Sequence, residues 1–184
     1  MRRLIIVGTL ALAAPGCGTL PGTVRTPELP PGVFGMYHDN DTGAINNSAW
    51  AFSSPRNTSG NPQAAIRAIV GLEYLAGELK ENPRWIGMDD TVKLRMVQAR
   101  DDLRGVLGIP KSIDPQAVVD ALLRLGADLK YGRADDAKAV LETPVFTLSP
   151  ELTLKRLSNL PYMEEANLAT SRAQAEAWPV GEAG

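Results

Sequence analysis

Three segments of this chain begin with the same local signal for the start of an α-helix. Each places a capping Asn, Asp or Ser before a proline and a Gln or Glu: Asn61-Pro62-Gln63, Asp114-Pro115-Gln116 and Ser149-Pro150-Glu151. The capping side chain can accept a hydrogen bond from a free backbone N–H, and proline fits the first helical position because no N–H is needed there. No useful segment after residue 60 alternates with the period of a strand, so the sequence predicts an all-α fold.

Apolar residues recur at helical spacing through most of the chain after residue 60. The pattern predicts an irregular bundle of about five to six helices, in segments that start at Asn61, Asp89, Asp114, Ala134, Leu152 and Tyr162. Leu72, Leu103 and Leu122 lie at the centres of their apolar stripes, and we expect them to be buried in one core. Charged residues lie off these stripes and are expected on outer faces, among them Glu78, Arg104 and Asp128.

The N-terminus has the three-part pattern of a secretory signal. Two arginines precede an apolar run from Leu4 to Ala14, and small residues follow. Eleven helical residues rise about 16 Å, roughly half of a hydrocarbon core about 30 Å thick, so this run is too short to span a bilayer. We therefore predict that residues 1–16 are a signal peptide that is removed on export.

The only cysteine, Cys17, directly follows Ala14-Pro15-Gly16. This tetrapeptide resembles the lipobox of bacterial lipoprotein precursors, whose cysteine is diacylated and becomes the new N-terminus. The resemblance implies an anchor in the lipid bilayer through acylated Cys17, and Gly18 after the cysteine implies the periplasmic face of the outer membrane. Ordinary cleavage after Ala11-Leu12-Ala13 is the alternative and would release a soluble periplasmic protein.

Composition divides the rest of the chain into three parts. Residues 17–32 hold four prolines and show little periodicity, which predicts a flexible Pro/Gly tether. Residues 33–60 are rich in aromatic side chains and are predicted to be mostly non-regular. The helical domain is expected to occupy residues 61–178.

The aromatic-rich segment is the part of the sequence closest to a function. Phe34, Tyr37, Trp50 and Phe52 lie within twenty residues, and aromatic side chains of this size are rarely left in water. Either they pack on the chain's own helices or they bind a partner, since aromatic residues are enriched at interface hot spots. We keep all four as candidate partner-binding residues.

Few residues suggest catalysis or a metal site. The only histidine, His38, lies in a turn-rich run with no nucleophile motif nearby. The calcium loop of an EF-hand requires Gly at its sixth position and Glu at its twelfth, where a loop starting at Asp39 has Ala44 and Trp50. The sequence therefore predicts no catalytic residue, no metal and no cofactor.

Charge narrows the class of partner. Loss of residues 1–16 removes two arginines and changes the net charge from −2 to −4, and the remaining cations are dispersed among carboxylates, so no nucleic-acid partner is predicted. The leading hypothesis is a non-enzymatic envelope lipoprotein that has a structural role or binds another envelope protein. A small-ligand or lipid-binding module would need a cavity between helices, and an enzyme would need a perturbed carboxyl group in a cleft.

Overall fold

The computed structural model describes residues 25–35, 37 and 39–178. Across these residues the backbone forms seven α-helices and no strand, which confirms the all-α prediction; the sequence predicts about five to six helices. The helices are α1 (Asn40–Ser53), α2 (Pro62–Glu81), α3 (Asp90–Leu107), α4 (Pro115–Lys130), α5 (Ala134–Leu141), α6 (Pro150–Ser158) and α7 (Glu164–Ala177). Single turns of 3-10 helix at Pro55–Asn57 and Pro83–Trp85 precede α2 and α3.

The helix starts follow the predicted capping pattern. The three capping side chains accept hydrogen bonds from backbone N–H groups: Asn61 from Ala64, Asp114 from Gln116 and Ser149 from Leu152. Helix α3 ends at Gly108, whose φ of 68° favours glycine. Leu72, Leu103 and Leu122 are at most 2% exposed, which confirms the predicted core positions.

Helix α1 lies within residues 33–60, which we expected to be mostly non-regular. Asp39 caps it by accepting hydrogen bonds from the N–H groups of Asp41 and Thr42. Its buried apolar residues have helical spacing: Ala44, Ile45, Ala49 and Phe52. Glycine and asparagine lower the helix propensity of this segment, so its helical form depends on burial of that apolar face against the rest of the bundle.

Helix α2 occupies the centre of the bundle and is buried on every side. All residues of 64–79 except Arg67 are buried, including Ile66, which lies off the predicted apolar stripe. Such all-round burial is typical of a helix enclosed by others, and here α1, α3, α4 and α6 surround it. Gly71 allows α1 to approach closely, because a Cβ there would collide with the Ser48 hydroxyl.

Polar contacts between helices define their directions. Tyr74 with Asp41 and Ser48 with Ala68 join α2 to α1, whereas Arg95 with Glu165 and Asp89 with Glu176 join α3 to α7. Helix α1 therefore runs antiparallel to α2, and α7 runs antiparallel to α3. Because the short 82–89 connection turns the chain back into α3, the starts of α1 and α3 meet the ends of α2 and α7 at one end of the bundle.

The first described segment, residues 25–35, docks at this same end, and we call it the strap. The backbone N–H and the hydroxyl of Thr26 both donate to the Glu81 carboxylate, at 3.0 and 2.9 Å. Gly77 leaves room for this contact, because a Cβ there would lie 2.6 Å from the Thr26 Cα. We call the end of the bundle that contains Glu81 the strap end.

The docked strap corrects part of the predicted flexible tether at 17–32. The Gln116 side chain accepts from the N–H of Glu28 at 2.7 Å and donates to its carbonyl at 3.2 Å. Residues 25–32 thus have an irregular backbone, as their prolines predict, but specific hydrogen bonds hold them on α2 and α4. The sequence missed these contacts because their partners lie more than fifty residues away.

Candidate functional site

A buried carboxylate, Asp41, organises the strap end. Its side chain accepts three hydrogen bonds: from Tyr74 Oη at 2.6 Å, Trp85 Nε1 at 3.1 Å and Arg84 Nη1 at 3.0 Å. Burial, together with the bond to Asp41, raises the pKa of Tyr74 far above its ordinary value, so its hydroxyl stays a donor. Because every acceptor bond of Asp41 serves to join α1, α2 and the turn before α3, we interpret it as a positioning residue.

Arg84 connects this buried network to the surface. Its Nη1 atom also donates to Asp39 at 2.7 Å, and its guanidinium lies 4.8 Å from the centre of the Trp85 ring. Burial by itself would raise the pKa of Asp39, but bonds from Thr42 and Arg84 outweigh it and hold that pKa below its ordinary value. Asp39 is therefore ionised at neutral pH and keeps Arg84 in place.

A second polar cluster pins the connection between α3 and α4. Arg104, 1% exposed, donates to both carboxylate oxygens of Glu73 at 2.7 and 2.6 Å. Its remaining terminal nitrogen donates to the carbonyls of Lys111 and Ile113 at 3.2 and 2.8 Å. Arg104 was expected on an outer face of α3; it is buried because each of its three nitrogens has an acceptor. This arrangement is structural, since it leaves little capacity for a ligand.

Two other charged residues predicted on outer faces are also buried. Asp128, 3% exposed, accepts two hydrogen bonds from Arg133, at 2.8 and 2.6 Å, and so fastens the end of α4. Glu78, 7% exposed, accepts a hydrogen bond from Asn82 where α2 ends. The apolar stripes did not reveal either residue, because α2 and α4 are covered on more than one face.

Glu78 gives the fold a pH dependence. Burial raises its pKa above the ordinary 4.5, and the nearby carboxylates of Asp41 and Glu81 add to this, against Arg84 and the Asn82 hydrogen bond. The folded state therefore holds this proton to higher pH than the unfolded state does, and stability falls as pH rises above 4.5 through the folded pKa.

Replacing Glu78 by glutamine should remove this loss, because the amide keeps an oxygen for Asn82 without a charge. We expect Glu78→Gln to raise the free energy of unfolding at pH 7 relative to the parent and to have a smaller effect at pH 4. Urea denaturation at both pH values measures the difference. If Glu78→Gln gained less stability over the parent at pH 7 than at pH 4, the burial argument would be wrong.

Two adjoining clefts follow the line where α7 meets the start of α3, and we call them together the seam groove. The larger, of about 850 Å³, lies between residues 84–89 and 175–177. The smaller, of about 340 Å³, continues between residues 89–95 and 168–176. Asp89 and Glu176 line both clefts, and the Asp89 N–H donates a 2.9 Å hydrogen bond to the Glu176 carboxylate.

The lining of the seam groove is mixed in chemistry. Leu168 and Arg172 are four residues apart on α7 and so share a face. Leu168 is 39% exposed, whereas Arg95 on the opposite wall is paired with Glu165 at 2.9 Å. The smaller cleft thus combines one exposed apolar side chain with cations and carboxylates.

The four aromatic residues singled out in the sequence separate into two pairs. Phe34 and Phe52 are 6% and 5% exposed and belong to the core, so neither is available to a partner. Phe34 packs beside Gly43. A Cβ atom added to Gly43 would lie only 2.6 Å from the Cβ of Phe34. Tyr37 and Trp50 are 42% and 51% exposed, and their role as partner contacts stays a prediction.

Trp50 can be tested as a partner contact because it is half exposed, so replacing it should affect binding more than folding. With half of its surface already in water, Trp50→Ala should lower the free energy of unfolding by less than about 1 kcal/mol. Abolition of crosslinks to a partner without such destabilisation would support a binding role. A loss of several kcal/mol would contradict the exposed position of the indole.

No protein-family model matches the chain, and neither a curated protein nor a solved structure resembles it significantly. The site must therefore be judged on its own geometry. In the part of the chain that the structure describes, no three His, Cys, Asp or Glu residues are placed to hold a metal ion. None of the described helices combines the length and apolar character that crossing a bilayer requires.

The remaining sequence predictions fall outside the described residues. The signal peptide at 1–16, the acylated Cys17 and the tether between Cys17 and residue 24 are among them, as is His38. Glu73 and Glu78 are the described carboxyl groups whose pKa is raised. Both are buried, and neither lines the seam groove. Asp89, which lines both clefts, instead has its pKa held below the ordinary value by hydrogen bonds from Thr91.

Proposed function

We propose that this chain is a lipid-anchored envelope protein without enzymatic activity, whose helical body binds a protein partner in the seam groove. The anchor is acylated Cys17, and the compartment is the periplasmic face of the outer membrane. The occupant is an extended polypeptide segment that carries an acidic side chain for Arg172 and an apolar side chain for Leu168.

The observation that carries this proposal is the face that Leu168 and Arg172 present to the smaller cleft. Arg172 has no salt bridge within the described residues, unlike Arg95 across the groove. A carboxylate from a partner would complete the charge pairing, and partial exclusion of water by Leu168 would strengthen it. Polypeptides supply both groups within a few residues.

The mixed lining favours a polypeptide over the alternative of a lipid. An acyl chain needs a mainly apolar cavity, whereas Asp89, Glu176, Arg95 and Arg172 all line the smaller cleft. The larger cleft is also more open to solvent than an enclosed cavity would be. These features support a protein partner and leave a small-ligand role as the second candidate.

A charge-reversal pair tests the groove. A photoreactive residue at position 168 should give one discrete adduct in the intact envelope, and mass spectrometry would identify the partner. With that partner purified, Arg172→Glu should raise Kd at least about tenfold, which corresponds to about 1.4 kcal/mol.

Arg124→Glu is the matched control, because Arg124 is also an exposed helical arginine but lies on α4. It should leave Kd unchanged. Equal effects of the two substitutions would indicate general electrostatics and contradict a site in the seam groove. The anchor is tested separately: a mature chain that begins at Ala14 with an unmodified thiol would contradict lipidation.

A further inference from the structure

Three exposed side chains with membrane-compatible chemistry lie at the strap end. Ile86, at 85% exposed, is the most exposed large hydrophobic residue of those described, and Tyr37 and Trp178 are 42% and 41% exposed. Tyrosine and tryptophan prefer the interface between lipid and water, where the ring is buried and the polar tip stays wet.

Contacts of neighbouring residues place these three side chains at the same end of the bundle. Tyr37 lies two residues before Asp39, and Ile86 two residues after Arg84, the two partners of a 2.7 Å ion pair. Trp178 lies two residues after Glu176, which accepts from the N–H at the start of α3. The three side chains therefore belong to the end of the bundle at which the strap docks.

The strap brings this end close to the proposed anchor. Thr26 is fastened to Glu81, and the docked strap begins at Arg25, only eight residues after Cys17. Eight residues reach at most about 28 Å even when fully extended. The twenty residues of α2 alone span about 30 Å. An acylated Cys17 therefore keeps the strap end within about 28 Å of the bilayer, whereas the opposite end can lie about 30 Å farther away.

We propose that the strap end rests on the bilayer surface, with Ile86 inserted into the interface and Tyr37 and Trp178 beside it. This inference rests on the proposed acylation of Cys17. The occupant of the surface is lipid, and the contact orients the helical body so that the seam groove opens close to the membrane.

Apolar contact, rather than headgroup charge, carries this interaction. The cations near the strap end, Arg25, Lys80 and Arg84, are offset by carboxylates such as Glu81 and Asp89. Arg84 is already paired with Asp39 and Asp41. Contact with lipid should therefore be equally strong in vesicles with and without anionic lipid.

A single fluorescent label tests the orientation. Cys17 is the only cysteine, and its sulfur is blocked when acylated, so Ile86→Cys provides one reactive thiol in the lipidated protein. An environment-sensitive dye at position 86 is observed in phosphatidylcholine vesicles containing nitroxide lipids. We expect a blue shift in emission and quenching severalfold stronger than for the same dye placed by Tyr131→Cys, an exposed site at the end of α4.

The outcomes separate this inference from the proposed function. Mass spectrometry of the labelled protein first establishes whether Cys17 carries lipid; an unmodified Cys17 would overturn both the anchor and the orientation. An acylated protein quenched equally at positions 86 and 131 would overturn the orientation alone. Quenching at 86 that requires anionic lipid would likewise overturn the apolar contact, because a charge-driven association would then hold the body on the surface.

Discussion

Substituting Arg104 by alanine should lower the free energy of unfolding by about 3–5 kcal/mol, because removal of one partner of a buried ion pair leaves the other uncompensated. Glu73 would lose both of its guanidinium contacts while remaining 1% exposed. The loop carbonyls of Lys111 and Ile113 would also lose their donor. Such a loss is a large part of the 5–15 kcal/mol that typical domains possess. Urea denaturation monitored by circular dichroism provides the measurement.

A double substitution provides the control for this first experiment. Glu73→Leu combined with Arg104→Met replaces both charges with apolar groups of similar size, and we expect it to recover the part of the loss that comes from the unpaired Glu73 carboxylate. The carbonyls of Lys111 and Ile113 stay without this donor in the double variant, so recovery should be incomplete. Burial raises the pKa of Glu73, and without Arg104 this carboxyl should protonate more readily. The Arg104→Ala protein should therefore lose less stability at pH 4 than at pH 7. A loss below about 1 kcal/mol at pH 7 would mean that the pair is solvated.

Substituting Asp41 by alanine should have the second large effect, a loss of about 2–5 kcal/mol. Tyr74 Oη and Trp85 Nε1 would remain buried without an acceptor, and each unsatisfied group costs about 1–3 kcal/mol. Arg84 would retain only Asp39 as its carboxylate partner. Because Trp85 reports on this site, a change in indole fluorescence should accompany the loss of stability measured by denaturation.

Tyr74→Phe separates the hydrogen bond from general disruption. In the parent protein this substitution removes the bond to Asp41 and should be destabilising. In the Asp41→Ala background the hydroxyl has already lost its partner, so removing it should be neutral or stabilising. Additive losses in the double variant would contradict direct coupling between the two side chains.

Local signals in the sequence account for most of the fold. The caps at Asn61, Asp114 and Ser149 predicted helix starts because a cap depends on residues a few positions apart. Helix α1 was missed because its asparagines and glycine argue against a helix, whereas the deciding factor is its packing on α2. The spacing of Ala44, Ile45, Ala49 and Phe52 was the available signal for this helix.

The candidate site could be predicted much less well. The groove lies between residues 84–95 and 168–177, which are far apart in the chain, so no local pattern brings them together. The aromatic-rich segment identified two exposed residues, Tyr37 and Trp50, and two that stabilise the core. Burial of Arg104 and Glu73 was hidden by their charge, since only the pairing between distant positions makes the burial favourable.

The docked strap determines where a mechanical load enters the molecule. A pull on the chain ahead of Arg25 meets the hydrogen bonds of Thr26 with Glu81 and of Glu28 with Gln116 before it reaches α1. These bonds join the strap to the end of α2, the central helix of the bundle, and to the start of α4. Tension from an anchored N-terminus would therefore pass into α2 and α4 before it reached α1, and α1 would be spared from unwinding at its first turn.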